Sequence, residues 1–200
     1  NIHFDVQEGE RAHIREVQIV GNTRTYDNVI RRQLTVVPGD LFRRSAMMRS
    51  LRNVFYLNYF NDVIPDFRAI EGSPDVDMIL EVDEKPTGKF GIGANYSATD
   101  GFSGYLEVAE TNFLGRGQNL GTTYEFSKTV QNIKLSFTEP WFHDTPLTLG
   151  GEVYHTTSNY TEYDRRRTGG SVIVGRPLPW VDLTSASIRY TLGKVDVVEI

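Results

Sequence analysis

The 200-residue sequence predicts a small α+β domain of order β-α-α-β-β, followed by antiparallel transmembrane β-barrel strands. Three observations predict it. Helical spacing and strand alternation are mixed up to about Lys85-Pro86, whereas after Thr87 only a period of two remains. No stretch approaches the roughly 18 apolar residues of a spanning helix, which leaves open strands that face lipid with every second residue. Large aromatics also sit at turns, where chain that faces water rarely carries them.

In chain order, "HIREVQIVGN" alternates Ile14, Val17 and Ile19 with polar residues and ends in Gly21-Asn22, a strand and a turn. "TYDNVIRRQLTVVPGD" spaces Val29, Ile30, Gln33 and Leu34 as a helix, with Thr25 as its expected N-cap and Pro38-Gly39 as its stop. "SAMMRSLRNVFYLNYF" repeats Met47, Leu51, Val54 and Phe55 on one face, a second helix starting near Arg44 or Ser45. The strands "NDVIPDFRAI" and "DVDMILEVDE", joined through Glu71-Gly72-Ser73-Pro74, complete the domain.

About seven alternating strands follow Thr87, each near the ten residues of a tilted membrane crossing. Their polar face carries Glu107, Glu125, Lys134, Glu152 and Arg189, which suits either a barrel lumen or the wet side of a soluble β-sandwich. The connections separate these readings. Those after the second, fourth and sixth strands carry Phe113, Trp141, Phe142 and Trp180, while those after the first, third and fifth are polar. Alternate turns of a meander lie at opposite ends, so the four aromatics would gather at one membrane interface, where a ring with a polar edge is favoured.

Composition removes several classes of function. The net charge of −5 without a long Lys/Arg run argues against nucleic acid, which needs clustered cations. With no cysteine there is neither a thiolate metal site nor a cysteine nucleophile. His3, His13, His143 and His155 lack metal-ligand spacing, "KFGIGAN" is no phosphate-cradling turn, and no Ser, His and Asp set is evident. The expectation is of no enzyme, no cofactor and no metal.

"IREVQIVGNTRTYDNVIRRQL", "LRNVFYLNYFNDV" and "DVDMILEVDEKPTGKFGIGANYS" together resemble a polypeptide-transport-associated (POTRA) domain running into the first strand of a BamA-type outer-membrane assembly barrel. "NFLGRGQNL" and "SFTEPWF" resemble that family's turns after its second and fourth barrel strands. By this resemblance residues 1–10 are the last strand of a preceding POTRA domain, 11–86 the membrane-proximal POTRA domain and 87–200 the first strands of the barrel. The family's barrel is similar to a sixteen-strand cylinder, and its terminal aromatic strand and Arg-Gly-Phe loop motif are absent here, so a fragment is expected.

The resemblance implies a protein of the bacterial outer membrane, with its POTRA domain in the periplasm, that folds and inserts other β-barrels. Its implied partners are outer-membrane lipid, nascent outer-membrane β-barrel proteins, periplasmic accessory lipoproteins and periplasmic chaperones. The implied client-pairing strand is Phe90, Gly91, Ile92, Gly93, Ala94, Asn95 and Tyr96, in which Gly91 and Gly93 either leave room for an incoming strand or merely fit a curved wall. Asp62, Val63, Ile64, Asp66 and Phe67 form a short strand that either accepts an extended segment at a sheet edge or belongs to a rigid spacer; Pro65 argues for the edge. A secretion pore of the same superfamily is the alternative function.

Overall fold

The computed structural model describes residues 11–98, 101–178, 180 and 184–199. The expected lead strand at 1–10 lies outside the described residues, as do parts of the connections 98–102 and 176–182. The chain divides at Pro86/Thr87 into two compact units.

In the first unit, β1 (Ile14–Val20), α1 (Asp27–Arg31), α2 (Arg44–Tyr56), β2 (Phe60–Ala69) and β3 (Val76–Glu84) follow in order. The sheet runs β1-β3-β2, with β1 parallel and β2 antiparallel to the central β3. Ile14 and Val17 from β1, Val29 and Ile30 from α1, Met47 and Val54 from α2, and Met78, Leu80 and Val82 from β3 close over Phe60 in one core. Each belongs to the apolar set of its own element, so period and packing agree.

Three expectations for the helices fail. α1 spans five residues; Gln33 and Leu34 leave it, donating their N–H to Ile30 and Arg31 three residues back. Its N-cap is Tyr26, without a side-chain cap, and Thr25 is drawn into the core instead. In α2 the core side is Met47, Ser50 and Val54, with Leu51 partly covered, and Phe55 is turned outward. The buried polar position is satisfied, because the Ser50 hydroxyl accepts the Thr35 N–H at 2.9 Å and reaches the Ala46 carbonyl at 3.1 Å.

Glu84, the last residue of β3, fastens the loop that leads into α1. Its carboxylate accepts the N–H of Thr23, Arg24 and Thr25 at 3.1, 2.9 and 2.7 Å, and the Thr23 hydroxyl at 2.9 Å. Gly21, at φ 90° with the Val82 carbonyl 2.1 Å from where a Cβ would stand, lets that loop cross close to β3.

The second unit is a seven-stranded antiparallel meander: β4 (Gly88–Ser97), β5 (Gly101–Phe113), β6 (Gln118–Phe126), β7 (Val130–Glu139), β8 (Thr148–Asn159), β9 (Tyr163–Pro177) and β10 (Ser185–Glu199). A one-turn 3-10 helix, Phe142–Asp144, fills the connection between β7 and β8. The seven strands form one open sheet, and no second sheet covers either face among the described residues. A soluble sandwich would instead bury that apolar face against a partner sheet. Phe90 and Ile188, on that face at opposite edges, are 71% and 77% exposed.

Partial burial pushes the Glu84 pKa up, but the hydrogen bonds from Thr25, Arg24 and Thr23 outweigh it and hold the carboxyl below the usual glutamate range. A depressed pKa adds stability above the unfolded value and loses it as pH falls. Urea unfolding of the first unit should therefore weaken below about pH 4.5. Glu84→Gln should cost about 1–3 kcal/mol at neutral pH and flatten that acid dependence. An unchanged midpoint in the variant would show that the carboxylate does not hold the loop.

Candidate strand-pairing edges

Residues that pair across an antiparallel ladder point to the same face, so register sorts the second unit's side chains. The row through Phe90 runs Val108, Thr122, Leu135, Val153, Gly170 and Leu192. On the opposite face the row through Gly91 runs Glu107, Thr123, Lys134, Tyr154, Gly169 and Gly193. Glu125, Glu152 and Arg189 share that second, polar face, as the alternation predicts.

The apolar band does not follow the rows. On β4 it is Phe90, Ile92, Ala94 and Tyr96; on β10 it is Ala186, Ile188, Tyr190 and Leu192. The row that enters at the first apolar residue of β4 leaves at the last one of β10. From Leu192 back to Ala186 is six residues, and seven strands make six steps, so the band shifts one residue per strand. One residue along a strand is about 3.3 Å and one strand across is about 4.8 Å, which inclines the band by about 35° to the rows. Strands of membrane barrels tilt by about this angle, so the slanted stripe becomes level in a flat bilayer.

Aromatics mark both borders of the band. Phe113 ends β5, Trp141 and Phe142 occupy the turn after β7 and Trp180 the turn after β9, all at the end of the sheet where β4 begins. The Glu139 carboxylate secures the β7–β8 turn by accepting the Trp141 N–H at 2.9 Å and the Gln118 side-chain amide at 2.7 Å. At the other end Tyr96 pairs with Phe102, and Phe102 packs on Phe126 with ring centroids 6.0 Å apart. Sequence reading missed this second group because those rings lie within strands rather than in turns.

Among the described residues β4 pairs with β5 alone, so every second residue from Phe90 to Tyr96 directs both its N–H and its C=O to the side away from β5. The two glycines differ. A Cβ on Gly91 would meet nothing closer than 3.5 Å, whereas one on Gly93 would lie 2.2 Å from Cε1 of Tyr105, its partner across the ladder. The space beside Gly93 on the β5 side is therefore filled by the protein's own Tyr105. Residues 93 and 105 are symmetric about the 98–100 connection, so the pairing was readable once the hairpin centre was known.

In the first unit β2 is an edge strand. Val63 and Phe67 pack toward the core, with Phe67 edge-on to Phe42 at 5.3 Å, whereas Asp62, Ile64 and Asp66 are exposed. Pro65 pairs in register with Leu80 without interrupting an interior ladder. Among the described residues no cluster of His, Asp and Glu could hold a metal.

A family model described as the Omp85 superfamily domain matches residues 112–199, and one described as the surface antigen variable number repeat, the POTRA repeat, matches 12–85. The chain belongs to the Omp85 superfamily. A Treponema pallidum (strain Nichols) protein is 35% identical over 180 residues, which is 88% of this chain and 21% of that one. The outer membrane protein assembly factor BamA of Neisseria meningitidis is 32% identical over 74% of this chain and 19% of its own length. The chain thus spans about a fifth of the length of these curated relatives. Among solved structures, BamA from Haemophilus ducreyi lacking POTRA domains 1-3 superposes with a TM-score of 0.79 at 25% identity, over 94% of this chain and 37% of that one. CdiB from Acinetobacter baumannii shares the fold at 12% identity and a TM-score of 0.64, over 95% and 40%. The POTRA domain of this Omp85 chain lies in the periplasm and its strands in the outer membrane.

Gly93→Ala should force Tyr105 aside and weaken the β4–β5 pairing by about 1–3 kcal/mol, while Gly91→Ala should be nearly silent. Heat-modifiable migration of the full-length barrel on gels reads this out. The cost of Gly93→Ala should also shrink in a Tyr105→Ala background. Equal effects at both glycines would refute the interlock.

Proposed function

We propose that the protein folds and inserts client β-barrels into the outer membrane, with β4 as the pairing template. The observation that carries this is the likeness of the chain to BamA proteins, with β4 the first strand of the sheet and its apolar row inside the lipid-facing band. A client strand entering hydrocarbon must keep its backbone N–H and C=O groups paired, since each orphan costs several kcal/mol there. An edge that already presents both groups in strand geometry lowers that cost, and it needs no nucleotide, no cofactor and no catalytic side chain. Phe90, Ile92, Ala94 and Tyr96 would give the new strand a lipid-facing row to match, with Gly91, Gly93 and Asn95 facing the lumen.

The exposed edge of β2 supports a second contact, in which Asp62, Val63, Ile64, Asp66 and Phe67 take up an extended periplasmic segment by strand addition. Client barrels on their way to β4, periplasmic chaperones and accessory lipoproteins are the proposed partners. The likeness to CdiB shows the fold alone and lends a secretion pore no added weight.

Disulfide trapping in the full-length protein in its native membrane tests the template. Cysteines placed singly from Phe90 to Tyr96 should cross-link to the terminal strand of a stalled client, with the preferred partner moving in register as the cysteine moves. A passenger that instead cross-links at lumenal positions such as Glu125 or Lys134, with β4 silent, would replace assembly by transport.

A further inference from the structure

The core uses one side of α2, and the other side mixes cations with apolar tips. At about 100° per residue, Arg44, Met48, Arg49, Arg52, Phe55 and Tyr56 share one outward arc of roughly 140°. Met48, Phe55 and Tyr56 are 50%, 53% and 73% exposed. α2 contains no acidic residue, and Arg44, Arg49 and Arg52 form no ion pair among the described residues. In a chain of net charge −5, a helix of uncompensated arginines interleaved with a thioether and two aromatic rings is a deliberate local reversal.

We propose that this face of α2 docks on the anionic phospholipid headgroups of the periplasmic leaflet. Cations that reach phosphates while apolar and aromatic tips enter the headgroup boundary are the pattern of a helix lying on a membrane surface. The choice of a lipid surface rests on charge complementarity between the three arginines, on a helix without an acidic residue, and anionic headgroups. The membrane is also at hand: three residues, Lys85, Pro86 and Thr87, join β3 to β4, a reach of about 13 Å. The tether raises the local concentration of headgroups around the domain, so weak contacts suffice. The proposal rests on the barrel strands being in the membrane and not on strand templating.

The test uses the full-length protein carrying Tyr56→Cys labelled with a polarity-sensitive dye, reconstituted into vesicles of phosphatidylcholine alone or doped with phosphatidylglycerol. The expected result is a blue shift in the phosphatidylglycerol vesicles only, reversed by high salt. Arg49→Glu with Arg52→Glu should raise the phosphatidylglycerol content needed for half the shift at least about tenfold, and Arg49→Lys with Arg52→Lys should leave it nearly unchanged. Absence of any shift overturns the proposal. An equal shift in pure phosphatidylcholine, or one indifferent to the charge reversal, also overturns it, by reducing the contact to apolar collapse or tether proximity. If the dye responds only when an acidic protein is added, that protein is the occupant and lipid is not. Client cross-linking at β4 is read separately, so failure of either idea leaves the other standing.

Discussion

Hydrocarbon offers a backbone amide nothing to bond to, and the second unit is arranged around that fact. Six ladders pair the interior strands along most of their length, and side chains then only have to sort between lipid and lumen. Sorting by alternation fixes which face is apolar, but it does not fix where along each strand the apolar run begins. That second choice is made by tilt. A bilayer is level and the strands are not, so each strand must start its lipid-facing run one residue displaced from its neighbour's. The shift from Phe90–Tyr96 on β4 to Ala186–Leu192 on β10 is that displacement written into the sequence.

The first unit answers to water, and its rules differ. Its sheet has one covered face, so β1 and β3 feed Ile14, Val17, Met78, Leu80 and Val82 to a single core and leave charge outside. Glu84 is where the two regimes approach each other along the chain. By gathering three backbone N–H groups of the 23–25 loop, it fixes the end of β3 to the start of the helical layer, a few residues before strand rules for lipid take over. In water a carboxylate is well suited to such a post, because solvent hydrates the lone pairs that the loop leaves over; a few residues later the same group would have to face the lumen.

Most of the architecture was legible because each level of the sequence agreed with the next. Period-2 segments, Gly and Pro punctuation and the alternation of aromatic with polar turns locate seven strands, and they orient the sheet. What escaped depended on neighbours distant in sequence. Thr25 reads as a cap by its type, but a carboxylate 59 residues away claims its N–H, and the helix starts later without a side-chain cap. Phe55 reads as core by hydrophobicity, although its position on the wheel sets it beside Met48 rather than Met47. Gly93 reads as vacancy until register brings Tyr105 across from β5. In each case local propensity was a weak constraint and a tertiary contact decided the outcome.

The Tyr105 interlock bears on how β4 keeps its shape. A strand that is paired on one side only is prone to fray, and glycines, which carry no side chain to pack, make fraying easier. Tyr105 laid over Gly93 returns contact area to the β5 side of the strand without adding bulk to its free side. β4 is thus held in extended geometry by a neighbour that makes no demand on its outer hydrogen-bonding groups. A template has to be rigid where it is read and unoccupied where it reads, and these two requirements conflict in a strand that depends on both edges for its shape. Under the proposed templating, the aromatic ring would supply the rigidity from one side, so a partner could join or leave the other edge at the cost of its own ladder alone.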